Sequence, residues 1–279
     1  MMIKTVLVLF FSILVVSCQT KKESLKMITL NIRYDNPADG INAWPERKSI
    51  VVDFLKNENP ALIGLQEALW QQYIFIDSML THYSSVAAGR DDGERAGEMC
   101  PVFYRNDLFD LHDSGTFWLS ETPEVAGSKG WGAVLPRIVT WSSLVTKESG
   151  SRFYIFNTHF SHMSDSARVM SSRVLRSEVK KVAGDDLFII TGDFNMLPES
   201  RAYGELAIDP ITDSFIDSSS PPEGEISTFN GFSNTAGYSR IDYIFVKRGI
   251  DIHKHTTQSV YRDSLFISDH WPVIVSLSF

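Results

Sequence analysis

The sequence predicts an α/β or α+β layered sandwich, and three observations carry that prediction. Short apolar runs of strand length recur along the chain between clusters of Gly, Asp, Asn and Ser. Helix-period segments occur early and in the middle, with many strands between them, which implies sheets covered by helices. No internal repeat, low-complexity run or linker divides the chain.

In order, Leu25 to Arg33 reads as an apolar-rich strand. Glu46 to Lys56 reads as a helix with Ile50, Val51, Phe54 and Leu55 on one face. Ala61 to Gln66 is a second strand and Trp70 to Leu80 a second helix. Strand-like runs follow at Pro101 to Arg105, Gly115 to Leu119, Ile138 to Val145 and Phe153 to Asn157. Asp165 to Ala183 is the longest helix candidate, with Ala167, Met170, Val174 and Val182 expected inside. Asp186 to Thr191, Arg240 to Val246, Ile250 to Val260 and Pro272 to Leu277 close the chain as strands, and Ser218 to Glu225, with two prolines, reads as a surface loop.

The 279 residues are 43% hydrophobic and 22% charged, which describes a folded protein and excludes a disordered, collagen-like or polytopic membrane chain. A formal charge of -8 disfavours diffuse binding to polyanions. The N-terminus carries an address instead of a fold element. Lys4 precedes a mostly apolar run from Thr5 to Val16, too short to span a bilayer, and Ser17-Cys18 follows. This pattern resembles a bacterial lipobox, so residues 1–17 are expected to be a lipoprotein signal peptide and Cys18 the lipid attachment point. Residues 18–25 would be a short polar tether and 26–279 one catalytic domain. Lys21 and Lys22 do not resemble an acidic surface-export tag, so the expected address is a lipid anchor in the bacterial cell envelope, on the periplasmic face of the outer membrane. With Cys18 lipidated, Cys100 has no partner and no disulfide is expected; Cys100 reads as a small buried apolar residue.

Polar residues at strand ends carry the chemical signal. Asn31, Gln66-Glu67, Asn157-Thr158-His159 and Gly192-Asp193-Phe194-Asn195 each end an apolar run, and Asp242 and Asp269-His270 stand in two further stretches. Such groups delivered from one edge would build a polar pocket on a rigid platform. Oxygen ligands without clustered Cys or His favour a hard divalent cation, Mg²⁺ or Mn²⁺, over zinc. The chemistry this suits is attack of water on phosphorus: a metal and an imidazolium offset phosphoryl charge, while a carboxylate or an Asp-oriented His handles the proton. Taken singly each residue reads as an ordinary turn or strand-end residue; their order and spacing change the odds.

The motifs ITLNIRYDNPADGINAW (28–44), IGLQE (63–67), FNTHF (156–160), TGDFN (191–195), RIDYIFV (240–246) and SDHWPV (268–273) together resemble the endonuclease/exonuclease/phosphatase superfamily, built on the pancreatic-deoxyribonuclease fold. The resemblance runs from about Met27 to Phe279 and implies a four-layer α/β/β/α sandwich, two mixed β-sheets flanked by helices. It implies Glu67 as principal metal ligand with Asn31 assisting and Asp269 near the metal or the water. It implies Asp193 as the group that orients or activates the water, Asn195 as a phosphate contact, and Asp242 as the partner of His270. His159 matches the second imidazole of the histidine-containing branch, and Glu98 the carboxylate that holds it. Arg105 and Arg137 are candidate phosphate contacts, Trp44 a candidate pocket wall. After NTHF, relatives with this opening often continue Asp-His, where this chain has Ser161-His162.

The expected activity is metal-dependent hydrolysis of a phosphodiester or phosphomonoester. An extracytoplasmic nuclease, with nucleic acid as substrate, and a non-catalytic lipoprotein binding module are the alternatives. A nuclease should concentrate Lys and Arg at the pocket, and no such concentration is visible in the sequence.

Overall fold

The computed structural model describes residues 24–235 and 237–279, so the signal peptide, Cys18 and nearly all of the tether lie outside the described residues. The elements run β1 (Leu25–Asn31), a 3₁₀ turn (Pro37–Asn42), α1 (Trp44–Glu58), β2 (Leu62–Gln66), α2 (Trp70–Met79), β3 (Tyr83–Val86), β4 (Val102–Arg105), β5 (Phe109–Trp118) and β6 (Ile138–Thr146). They continue β7 (Arg152–His159), α3 (Asp165–Ala183), β8 (Leu187–Asp193), α4 (Arg201–Leu206), β9 (Ile211–Asp213), β10 (Glu223–Gly224), β11 (Asp242–Lys247), β12 (Asp251–Thr257), β13 (Tyr261–Arg262), β14 (Leu265–Phe266) and β15 (Val273–Ser278).

Two large mixed sheets form, in the orders β10-β12-β15-β1-β2-β4-β3 and β5-β6-β7-β8-β11-β9. Their facing sides bury Met27, Leu62, Ile155, Ile189, Ile244 and Val275 in one cluster. On the outside, α1 and α2 cover the first sheet, and α3 and α4 the second. This is the expected four-layer sandwich, and it arises because β1, β2, β7 and β8 are apolar on both faces and need cover on both. Among the described residues no helix is long and apolar enough to cross a membrane.

The helices follow their local chemistry. Ser164 caps α3 by accepting from the Ala167 N–H, and Gly184 ends it at φ 59°. Its buried stripe is Ala167, Ser171, Leu175, Val179 and Ala183 at four-residue spacing, with Ser172 buried beside it. Met170, Val174 and Val182, expected inside, lie at its partly buried flanks. β5 is twice the expected length, because it is an edge strand whose first half, Asp110 to Asp113, faces solvent and shows no apolar run. The Ser218 to Glu225 loop holds the two-residue β10.

Two features bring the sheets into register at the site. Gly64 lets β2 approach β7 and β8: a Cβ there would stand 2.5 Å from Thr191 Oγ1. Through the gap Gln66 Nε2 donates to Asn157 Oδ1 at 2.6 Å, and Asn157 Nδ2 donates to the Leu65 and Pro101 carbonyls. Arg47 is fully buried on α1 and donates to the backbone oxygens of Asn42, Ile32, Arg33 and Ile267. It therefore ties the segment after β1 to the segment before β15, although burial draws its pKa down to about 10.

Candidate active site

The pairing register puts the expected side chains on one edge. Asn31 lies beside Gln66 across β1 and β2, His159 beside Asp193 across β7 and β8, and Asp193 beside Asp242 across β8 and β11. The chain then leaves three of these strands through left-handed residues: Arg33 at φ 56°, Glu67 at φ 60° and Asn195 at φ 48°. Such conformations cost free energy for non-glycine residues and collect where geometry serves chemistry. Here they turn the polar side chains away from the sheets and into a cleft of about 620 Å³ lined by Glu67, His159, Asp193, Asp269 and His270 among others.

Asp193 Oδ2 is the centre of this arrangement. It accepts from Asn31 Nδ2 at 2.9 Å and stands 3.5 Å from His159 Nε2 and 3.8 Å from His270 Nε2. Asn31 Nδ2 also donates to Glu67 Oε1 at 3.0 Å, and Glu67 Oε2 accepts from the Tyr34 N–H at 3.0 Å. The Arg33 N–H donates to Asn31 Oδ1 at 2.9 Å, which fixes the amide orientation. Asn31 is thus a donor bracing two carboxylates, with its oxygen already engaged.

The two imidazoles sit in opposite electrostatic settings. Burial works against charge on His270, yet Asp242 and Asp193 outweigh it and hold its pKa well above the ordinary value. Its Nδ1–H donates to Asp242 Oδ2 at 2.8 Å, which leaves Nε2 toward Asp193. His159 is held well below the ordinary value, by burial first and then by the charges of Arg137 and Arg90. Asn195 Nδ2 approaches its Nε2 at 3.0 Å as donor, so the ring proton is on Nδ1, 3.6 Å from Glu98 Oε2. The Asp193 carboxyl is pushed up to about 7, by burial first and by the Asp242 charge second. Environments that drive neighbouring titratable groups apart in this way mark acid and base assignments.

The remaining expectations divide. Glu98 reaches the cleft and accepts from Arg90 Nη1 at 2.6 Å, with burial raising its pKa. Asp269 lines the cleft with Oδ2 3.7 Å from Arg33 Nε, and burial raises its carboxyl as well. Arg137 lines it too. Asn195, expected at the phosphate, spends its amide donors on His159 and the Phe160 carbonyl. Trp44 and Arg105 are not brought to the site. Trp44 is buried at the start of α1 with its ring edge-on to Phe75 at 6.0 Å, and Arg105 is held by Asp107 and Asn59.

Sequence reasoning passed over Arg33, Arg90 and Phe229, and named His162 without assigning it to the site. Arg33 lies inside the NIRYD opening, where it is clamped by Asp39 at 3.0 Å. His162 stands three residues after His159 and lines the cleft, so the second half of the Ser161-His162 departure kept its place. Arg90 and Phe229 come from irregular loops that carry no periodicity. Phe229 packs edge-on against His270 at 5.2 Å.

Known proteins share this fold. The profile of the Endonuclease/Exonuclease/phosphatase family matches residues 28–270. The endonuclease/exonuclease/phosphatase of Bacteroides vulgatus is similar at 34% identity and a TM-score of 0.88, over 92% of this chain and 100% of that one. A mannosyl-6-phosphatase of Bacteroides thetaiotaomicron is similar at 33% identity and a TM-score of 0.84, over 91% of this chain and 100% of that one. An uncharacterised protein of Acanthamoeba polyphaga mimivirus is 27% identical over 183 residues, 61% of this chain and 67% of that protein.

Proposed function

The chain belongs to the endonuclease/exonuclease/phosphatase family, and from that premise we propose that it is a divalent-metal-dependent hydrolase of small phosphoesters, sugar phosphates being the class it fits best. The observation that carries the reading is the pair of imidazoles, His270 held by Asp242 and His159 by Asn195, facing the Glu67 and Asp193 carboxylates that meet at Asn31.

The residues fit a hard cation. Glu67, His159 and Asp193 offer atoms that all lie within 4.8 Å of one another, and Glu67 Oε1 and Asp193 Oδ2 converge on one amide nitrogen. Glu67 would hold Mg²⁺ or Mn²⁺, with Asp193 beside it, Asn31 bracing both and Asp269 close by. Bound there, such an ion neutralises charge on the phosphoryl oxygens. Asp193, poised near neutrality, accepts the proton of the attacking water. His270, backed by Asp242, presents positive charge and an Nε2 proton to the phosphoryl and leaving oxygens. His159, oriented by Asn195 and held below its ordinary pKa by burial, positions the water or the phosphate without competing for the proton.

A small substrate is favoured over nucleic acid. Among the described residues no lysine lines the cleft, and Arg33 is neutralised by Asp39. The similarity to a mannosyl-6-phosphatase over nearly the full length points the same way. The test is phosphate release from mannose 6-phosphate and glucose 6-phosphate beside cleavage of single-stranded DNA, with Mg²⁺, at rising salt. Faster turnover of a sugar phosphate with little salt dependence supports the reading; preferred DNA cleavage that falls steeply with salt contradicts it.

We also infer that lipid on Cys18 holds the mature protein at the periplasmic face of the outer membrane, from the apolar run and Ser17-Cys18. Removing Met1 to Ser17 takes away only Lys4, so the mature charge is -9. Cys18→Ser should move the protein from the membrane pellet to the soluble fraction, and a variant that still pellets would refute the anchor.

A further inference from the structure

Opposite the acidic side of the cleft stands a cation with no role in the chemistry above. Arg137 sits just before β6 and is 5% exposed, yet it lines the cleft. Its Nη2 donates to His162 Nδ1 at 3.1 Å. Its Nη1 is 4.0 Å from Glu98 Oε2, beyond hydrogen-bond reach, because that oxygen is taken by Arg90 at 2.6 Å. Nε and Nη1 are buried without a hydrogen-bond partner among the described residues. Arg90 stands behind it, paired to Glu98 at 2.6 Å and with Nε 3.8 Å from Asp91 Oδ1, so it takes the Glu98 carboxylate away from Arg137.

The cleft therefore has two electrostatic halves. Glu67, Asp193 and Asp269 give one half the character of a cation site, and Arg137 gives the other a guanidinium that no carboxylate reaches within hydrogen-bond distance. A buried guanidinium with unmet N–H groups is costly until an acceptor arrives, and a planar fork of donors matches two oxygens of one phosphoryl group.

We propose that Arg137, aimed by His162, recognises the terminal oxygens of a phosphomonoester dianion and so makes the cleft select monoesters over diesters. This rests on the phosphoesterase reading and specifies its substrate class. In a monoester, two non-bridging oxygens remain for the guanidinium after one faces the acidic half. A diester replaces one of them with an alkoxy group, which carries no charge and leaves a buried donor unmatched.

The test uses the mature chain with Mg²⁺ and two readouts. The first is binding of inorganic phosphate by calorimetry, which needs no turnover. The second is kcat/KM for p-nitrophenyl phosphate against methyl p-nitrophenyl phosphate, which share a leaving group. Arg137→Gln should weaken phosphate binding by about 30-fold and lower kcat/KM on the monoester by about 100-fold. On the diester it should change kcat/KM by less than about threefold. Arg137→Lys, which keeps the charge and loses the fork, should fall between wild type and Arg137→Gln. His162→Ala, at the exposed rim, should lower the monoester-to-diester ratio several-fold and serves if the buried position tolerates no change. Equal losses on both esters, or unchanged phosphate binding, would overturn the assignment and leave Arg137 a structural cation. A wild-type protein that hydrolyses neither ester would refute the phosphoesterase reading, while Arg137-dependent phosphate binding in that same protein would still uphold the anion site.

Discussion

Asn31→Asp exchanges one NH₂ group for an oxygen in a side chain of the same shape, at the point where two carboxylates meet. The wild-type nitrogen is 3.0 Å from Glu67 Oε1 and 2.9 Å from Asp193 Oδ2, so the variant sets three carboxylate oxygens at about that spacing. At an effective dielectric near 20, two unit charges at 3 Å repel by about 5 kcal/mol. The site escapes the full cost by keeping a proton, and the penalty is then about 1.4 kcal/mol for each pH unit above the unfolded carboxyl pKa near 4, or about 4 kcal/mol at pH 7. His270, with Nε2 3.5 Å from that nitrogen, returns part of it, so the expected loss at pH 7 is about 2–4 kcal/mol. The sign follows from proton binding: a carboxyl pKa raised by folding gives a stability that is whole below pH 4 and declines as pH rises. The assay is urea unfolding of wild type and variant at pH 5 and 7, in EDTA and in Mg²⁺. Mg²⁺ stabilises the folded state of both proteins, so it should narrow the gap by as much as the added carboxylate tightens the ion, about 1.4 kcal/mol for each tenfold lower Kd. A variant within about 1 kcal/mol of wild type at pH 7 in EDTA, or a gap that does not widen from pH 5 to pH 7, would refute the placement of the Asn31 amide between the two carboxylates.

Three further outcomes follow from other contacts. Asp242→Asn keeps an acceptor for His270 Nδ1 but removes its charge, so kcat should fall about 100-fold and the His270 pKa, read by NMR titration, should drop toward 6.5; an unmoved pKa would show that Asp242 is not what holds the imidazolium. Arg47→Met strands the four carbonyls that Arg47 now satisfies and should destabilise the fold by about 3–5 kcal/mol in chemical denaturation, with a loss under about 1 kcal/mol contradicting its tie between the two site segments. His255, buried and held neutral with its pKa down to about 3, mainly by burial and then by Arg240, must charge in the unfolded chain as pH falls below about 6.5. Wild type should therefore lose about 2 kcal/mol between pH 7 and 5 that His255→Gln does not, and equal acid sensitivity in the two proteins would exclude that origin.

The strands that carry the site were legible because their polar residues interrupt otherwise continuous apolar runs. Asn31, Glu67, His159 and Asp193 each stand where a buried strand has no further use for a polar side chain. The opposite wall was legible only in part. Glu98 and Arg137 come from the long loops after β3 and β5, where no period relates a residue to the cleft, and only the family resemblance brought them out. Arg105 and Trp44 show the converse failure. A strand-end arginine and a loop tryptophan look like site residues until nearby partners are seen, and here Asp107 and the α1–α2 core claim them. Arg47 falls in register with Ile50 and Val51 on the inner face of α1, where a charged residue contradicts the pattern. Its four carbonyl partners include one 220 residues away in sequence, a contact that no local reading supplies.

Every role assigned to these side chains depends on hydrolysis of phosphoesters in this cleft with a metal held at Glu67. The direct measurement is release of inorganic phosphate from mannose 6-phosphate by the mature protein, in Mg²⁺ and in EDTA, with Glu67→Gln and His270→Gln alongside. Turnover in Mg²⁺ that EDTA abolishes, that Glu67→Gln recovers only in part at high Mg²⁺, and that His270→Gln lacks at any Mg²⁺ concentration is the predicted result. Turnover that survives EDTA, or that either variant retains at the wild-type rate, would contradict it.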